Sequence, residues 1–344
     1  MMSHMKKAVY FILIVLSYSS CKKTEDTAPA INDIYAPVVV TQAFNKTLAN
    51  PNFSANNQEV FTAQFAKATA WTITLTGQTS HAVKTIKGIS QSIDASNAVW
   101  EGYADAPPSF KAENVTAKLT FDNYPQDTFT TNLTIAAPKN LDAGGVLVSN
   151  FLVSKRWFNS GPPCNCKYGY TGPNGWPSDY PNITNTDATT GYPLVDGNGF
   201  MFMSGTPWPD PTVTAYVNYL TIDASSADVN YGAYFTPINS DATQVYFNIM
   251  VHGETDPDVW FQINFTEEGG QSKTITIKPK WTGWKLLSYR YSDIAGGTVG
   301  VVPRPDRITS IQFVLLSSAT TLPGNSVRIA YDHPIFTNNK PYQP

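Results

Sequence analysis

Along two long stretches of the chain, hydrophobic residues recur at every second position, the period of a half-buried β-strand. Residues 70–77 (AWTITLTG) put Trp71, Ile73 and Leu75 on one face, and 118–121 (KLTF) and 131–135 (TNLTI) repeat the theme. Short alternating strands of this kind run from residue 35 to 137, which predicts an immunoglobulin-like sandwich of about seven strands in about 100 residues. Trp71 and Trp100 fall at inward positions and are read as core. Further on, 244–251 (QVYFNIMV) sets Val245, Phe247, Ile249 and Val251 on one face, with Tyr246, Asn248, Met250 and His252 on the other. Residues 259–265 (VWFQINF) do the same, leaving Trp260, Gln262 and Asn264 opposite the apolar face. With 273–277, 284–289, 308–316 and 327–336 these are the clearest of a set of about eight strands, the number of a two-sheet jelly roll. The predicted class is therefore all-β: an N-terminal immunoglobulin-like β-sandwich (35–137), a linker (138–145) and a C-terminal jelly-roll β-sandwich (146–344).

Composition supports many turns and few helices. The chain has 344 residues with 22 Gly and 25 Pro, and 42% of it is apolar, enough for two cores. Only 14% is charged, 23 Lys+Arg against 26 Asp+Glu, while aromatics reach 13%. A net charge of −3 excludes a general nucleic-acid binder. Residues 157–211 hold few strand patterns but many Gly, Pro, Asn and aromatic residues, and long loops of that kind tend to be functional.

The amino terminus bears on compartment. Lys6 and Lys7 precede an apolar run from Ala8 to Leu16, then Ser17-Tyr18-Ser19-Ser20 leads into Cys21. Residues 1–20 have the charged, apolar, small-residue order of an export signal, and the apolar run is too short to span a bilayer. A Cys directly after small residues resembles the lipobox of bacterial lipoproteins, with Tyr18 where Leu is usual. The resemblance implies that Cys21 is the first mature residue and carries the lipid; under simple secretion it would be a free thiol. Residues 21–34 read as a flexible tether, and Glu25-Asp26 resembles the surface-export signals of Bacteroidota-type lipoproteins. Cys164 and Cys166 lack the partners of a metal site and are read as structural or incidental.

Residues 195–200 (VDGNGF), 259–270 (VWFQINFTEEGG), 284–287 (WKLL) with Ser292-Asp293, 308–316 (ITSIQFVLL) and 328–336 (RIAYDHPIF) follow one another in a characteristic order. In that order the C-terminal domain resembles jelly-roll carbohydrate-binding modules and the C-terminal domain of Bacteroidota surface glycan-binding lipoproteins. The resemblance implies sugar binding without catalysis at the cell surface, lipid-anchored in the outer membrane and beside a glycan importer of the same system. Membrane contact would be through the lipid only.

Elementary chemistry points the same way. A sugar ring has apolar C–H faces that stack on aromatic rings and hydroxyl edges that need amide, carboxylate or backbone partners. One candidate surface is the loop set Trp157, Tyr170, Trp176, Tyr180 and Trp208. Asn174-Gly175-Trp176-Pro177 and Pro207-Trp208-Pro209 suit rings held outward, and this set is the favoured one. The other is the polar strand face of Trp260, Gln262, Asn264, Tyr246 and Asn248, although a strand Trp is more often core than platform. Trp284, sharing its face with Leu286, is read as core. No cofactor is required; Asp332 resembles the position where many such modules hold a structural calcium.

Two other functions compete. A secreted jelly-roll hydrolase or lyase would need paired carboxylates, or Tyr or His beside Arg. The acids of 252–258 (HGETDPD) and 267–270 (EEGG) read as turns, and histidine is scarce: His81, His252 and His333 beyond the export signal. A structural or adhesive surface protein would instead bury all its aromatics.

Overall fold

The computed structural model describes residues 37–122, 124–149, 182–184, 192, 194–195, 200–205, 216–225, 231–236, 238–254, 259–317 and 327–343. It is all-β, with antiparallel strands joined by turns and short 3-10 segments. Among the described residues no helix is long and apolar enough to cross a membrane.

The N-terminal sandwich is built on six strands: β1 (Val40–Lys46), β2 (Glu59–Gly77), β3 (Val83–Ile93), β4 (Val99–Trp100), β5 (Asn114–Phe121) and β6 (Tyr124–Thr134). β2, at 19 residues, is its spine: the first half pairs with β1 and β4, the second half with β5, and β3 follows it as a long hairpin. Phe61, Ala63, Phe65, Trp71, Ile73 and Leu75 alternate inward along it, as their spacing predicts. Trp71 and Trp100 are both fully buried, and each indole N–H is satisfied: Trp71 donates to Ser90 Oγ at 2.9 Å and Trp100 to the Tyr103 carbonyl at 2.9 Å. Phe53 and Phe110 pack edge-on against Trp100 at 4.7 and 4.8 Å.

The C-terminal sandwich uses β7 (Val146–Leu147), β8 (Asn182–Thr184), β9 (Phe200–Gly205), β10 (Tyr216–Asp223), β11 (Val245–Gly253), β12 (Val259–Glu267), β13 (Ser272–Ile277), β14 (Gly283–Arg290), β15 (Ala295–Gly296), β16 (Ile308–Ser317) and β17 (Val327–Asn338). The jelly-roll pattern predicts about eight of these. The additions are short strands, or strands such as β9 (FMFMSG) whose sequence does not alternate. One sheet runs β10-β16-β12-β13-β15; the other runs β14-β11-β17-β9-β8, with β7 also on β17. Their inner faces meet in one aromatic core, where Phe247 lies 4.9 Å from Phe265 and Tyr331 lies 4.8 Å from both Phe261 and Phe313.

The two sheets treat their outer faces differently. β12 alternates buried and accessible residues along its length, whereas on β11 Asn248 and Met250 are as buried as the inward residues beside them. A second apolar cluster explains this: Leu141, Tyr192, Val195 and Tyr342 pack with Met250 and with Trp284 and Ile335, which flank it on the same face of the sheet. Trp284 is thus core, as expected, but of this outer cluster rather than of the main one. The segment 138–145, whose composition suggests a free linker, supplies part of the cover. Leu141 is buried and its carbonyl accepts the Tyr342 hydroxyl at 3.2 Å. Gly145 lies so close to β17 that a Cβ there would meet the Phe336 carbonyl oxygen at 2.1 Å, so only glycine fits. The Ser109 N–H, from the N-terminal sandwich, donates to the Val195 carbonyl at 2.7 Å.

Candidate functional site

The outward face of the five-stranded sheet is the polar surface of the C-terminal sandwich. β-Strand alternation places Trp260, Gln262, Asn264 and Thr266 on it from β12. The register brings Leu316, Val314, Gln312 and Ser310 of β16 opposite them, and Thr276, Thr274 and Ser272 of β13 on the other side. β10 adds Tyr219 and Thr221 beside Val314 and Gln312.

Across the middle of this face four side chains from four strands form one hydrogen-bonded row. Thr274 Oγ1 donates to Asn264 Oδ1 at 3.0 Å, Asn264 Nδ2 to Gln312 Oε1 at 3.2 Å, and Gln312 Nε2 to Thr221 Oγ1 at 3.3 Å. All four are partly accessible to solvent. Each amide uses one N–H within the row, and its second N–H can serve a ligand. Because each member holds the next, their orientation is set before a ligand arrives.

At one end of the face stands Trp260, 39% exposed, opposite Leu316 on β16. A strand Trp is more often core, yet this one offers its ring to solvent. Leu316 and Val314 also point outward but are buried, so this end of the face is apolar and the adjacent rows are polar. Burial pushes the Tyr219 hydroxyl pKa upward, so it is a neutral donor at physiological pH. An aromatic plate beside oriented amides and hydroxyls can stack an apolar ring face and bond its polar edges.

The structure brings together Trp260, Gln262 and Asn264 but separates Tyr246 and Asn248 from them. Those two lie on β11 in the opposite sheet, where Asn248 is buried and bonded to the Ile335 carbonyl and Thr337 Oγ1 at 3.1 and 3.0 Å. Identical alternation on β11 and β12 does not mean a shared face. Trp157, Tyr170, Trp176, Tyr180, Trp208 and Cys21 lie outside the described residues. Asp332 is buried in β17, and its Oδ1 accepts the His333 N–H at 2.7 Å. Among the described residues no group of three His, Cys, Asp or Glu side chains could hold a metal ion.

A second polar cluster, missed by the sequence reading, sits at the edge of the other sheet. His252 stacks on Tyr192 at 3.8 Å and meets Trp284 edge-on at 5.3 Å. The Tyr192 hydroxyl donates to Glu254 at 2.5 Å, and Arg328 donates to the same carboxylate at 2.9 Å. Burial lowers the His252 pKa to about 4, with Arg328 adding to the effect against Glu254, so the imidazole is neutral at pH 7. Burial and the bond to Glu254 both raise the Tyr192 pKa. Burial works to raise Glu254 too, but Tyr192 and Arg328 overcome it and hold this carboxyl below its usual range. No local signal marks the cluster, because Tyr192 and Arg328 lie 62 and 74 residues from Glu254 in sequence. Glu267, also read as a turn acid, is buried and accepts the Tyr291 hydroxyl at 2.9 Å and the Arg304 N–H at 2.9 Å.

No protein-family model matches the chain, and no curated protein sequence matches it. Several solved structures resemble it at low identity. SGBP-B from a complex xyloglucan utilization locus in Bacteroides uniformis is 10% identical, with 88% of this chain and 73% of that chain covered and a TM-score of 0.37. The family 11 carbohydrate-binding module of the cellulosomal cellulase Lic26A-Cel5E of Clostridium thermocellum is 12% identical, covering 46% of this chain and 80% of its own, with a TM-score of 0.29. The family 30 module of cellulase Cel9D-Cel44B from the same organism is 12% identical, covering 54% and 91%, with a TM-score of 0.32. Superpositions this partial assign no ligand to this chain.

Proposed function

We propose that this protein is a non-catalytic, lipid-anchored surface protein that binds a polysaccharide or oligosaccharide on the outer face of the five-stranded sheet. The observation that carries the reading is Trp260, exposed at one end of the face whose middle carries the pre-ordered Thr274–Asn264–Gln312–Thr221 row. Together they offer a stacking plate and oriented hydrogen-bonding groups in the absence of net charge on that row. In this reading Cys21 carries the lipid at the outer membrane, residues 22–34 are a tether, and the N-terminal sandwich holds the binding domain away from the membrane. Captured glycan passes to an importer of the same system. Trp176, Trp208 and the other loop aromatics would extend the platform.

Native gels containing a panel of neutral and acidic polysaccharides test the reading, with lipid-free protein beginning at Lys22. Retardation by at least one glycan, weakened in Trp260→Ala, is expected; no retardation by any of them would sink the reading.

The cluster of Tyr192, His252, Glu254 and Arg328 is the specific observation in favour of a lyase. Its electrostatics count against that role. A catalytic Tyr base needs a lowered pKa, whereas Tyr192 is raised, and Arg328 is already engaged by Glu254. The cluster instead clasps the segment around Tyr192 to the sheet. Absence of reducing ends or unsaturated products after prolonged incubation with a retarded glycan is the expected result.

A further inference from the structure

Between the two sandwiches lies a cleft of about 440 Å³, within the range of about 300–1,000 Å³ typical of small-molecule sites. The N-terminal sandwich contributes Lys84, Glu101, Tyr103 and Asp105; the C-terminal sandwich contributes Leu286, Tyr342 and Gln343. A narrower groove of about 110 Å³ shares Tyr103, Tyr342 and Gln343 and continues the cleft past Lys340. We infer that this cleft is a second saccharide subsite, taking a short neutral saccharide at the junction of the sandwiches. The inference rests on the saccharide-binding reading above.

The floor is rigid. Tyr342 is buried, its hydroxyl donates to the Leu141 carbonyl at 3.2 Å and its N–H to Asn248 Oδ1 at 3.0 Å. The Trp100 indole holds the Tyr103 backbone, and Lys139 sits 5.2 Å from the centre of the Tyr103 ring. Tyr103 and Leu286, both partly exposed, present apolar surface of the kind that C–H ring faces cover, and the buried Tyr342 ring backs them. The polar rim suits hydroxyls. Lys84 and Asp105 pair at 2.8 Å, and Glu101 accepts Gln58 Nε2 at 2.7 Å while keeping its second oxygen for a ligand. Burial works to raise the Asp105 carboxyl, but Lys84 and the Thr85 N–H overcome it and hold it ionised. Lys84 is therefore neutralised by Asp105, and Glu101 on the rim is set against Lys139 beside the Tyr103 ring and Lys340 in the adjoining groove, so the charges around the cleft nearly cancel. With no strong field of either sign, the cleft recognises ring faces and hydroxyls rather than charge, which suits a neutral saccharide.

Hydrogen–deuterium exchange with mass spectrometry tests the inference on the lipid-free protein. The probes are cellohexaose, a xyloglucan heptasaccharide, a mixed-linked β-1,3-1,4-tetrasaccharide and agarohexaose, each at millimolar concentration. Peptides spanning 99–105 and 338–343 report the cleft, and those spanning 259–266 and 310–316 report the sheet face. Protection at both, with Tyr103→Ala and Glu101→Ala each removing it from the cleft alone and Trp260→Ala from the sheet alone, is the expected outcome. Glu101 is exposed, so its variant keeps the test valid if Tyr103→Ala misfolds. Protection of the sheet without the cleft would overturn the second site and leave the first intact. Protection of the cleft alone would support it and move the principal site there. Protection at neither by any probe would overturn both.

Discussion

The two sheets of the C-terminal sandwich start from the same alternation and finish with opposite surfaces. β11 carries Tyr246, Asn248, Met250 and His252 outward, β12 carries Trp260, Gln262 and Asn264, and nothing local ranks one face above the other. Residues from far along the chain decide it. Leu141, Tyr192 and Tyr342 cover the β11 face and turn it into a second core, while Trp260 and the Asn264–Gln312 row keep contact with water. The same aromatic residue type therefore has two meanings here: Trp284 holds the molecule together, and Trp260 is available to hold something else.

Substituting the two tryptophans breaks this comparison most sharply. Trp284→Ala, in a packed cluster, should cost about 3 kcal/mol of stability and leave glycan affinity at the Trp260 face unchanged; urea unfolding beside gel retardation measures both. Trp260→Ala should do the reverse, leaving the unfolding midpoint within experimental scatter and weakening glycan binding about tenfold to hundredfold, roughly 1.4–2.8 kcal/mol. If Trp260→Ala destabilises the fold as much as Trp284→Ala does, the outer face of β12 is core and the proposed platform is lost.

Asn264→Ala probes the polar half of the face. It removes two hydrogen bonds of the row and should weaken binding about fivefold, near 1 kcal/mol, with little change in fold stability. Calorimetric titration with the retarded glycan reads it, and an unchanged affinity would confine recognition to Trp260.

The smallest effect concerns pH and belongs to the covered face. His252 is neutral in the folded state with a pKa of about 4, against about 6.5 unfolded, so the unfolded chain takes up the proton first. Stability conferred by the neutral imidazole is present above about pH 6.5 and is lost as pH falls toward 4. After allowance for solvent screening the loss is on the order of 1 kcal/mol. Glu254, held below its usual range, gives a loss of the same sign as pH falls further. His252→Gln should flatten the upper part of this profile in thermal melts, while binding at the Trp260 face stays constant across it.

Much of the fold was legible because a β-strand writes its two faces into every second residue. The inward sets of β2, β11 and β12 and the buried Trp71 follow from that period alone, whereas Trp100 sits on the two-residue β4. Short strands such as β7 and β15, two residues each, carry no period to read. At the candidate site Trp260, Gln262 and Asn264 share a strand, so their common face was visible. Gln312, Thr221 and Thr274 were not, because register across strands is a long-range property.

By itself, then, the sequence determined the all-β class, the inward residues of each long strand and a composition poor in charge and rich in aromatic residues. Tertiary structure alone decided that Tyr246 and Asn248 lie away from Trp260, that 138–145 packs as part of a core, and that Glu254 and Glu267 are bonded within the fold. The physical reason is that alternation fixes which side of its own strand a residue occupies, whereas what lies over that side depends on segments distant in sequence.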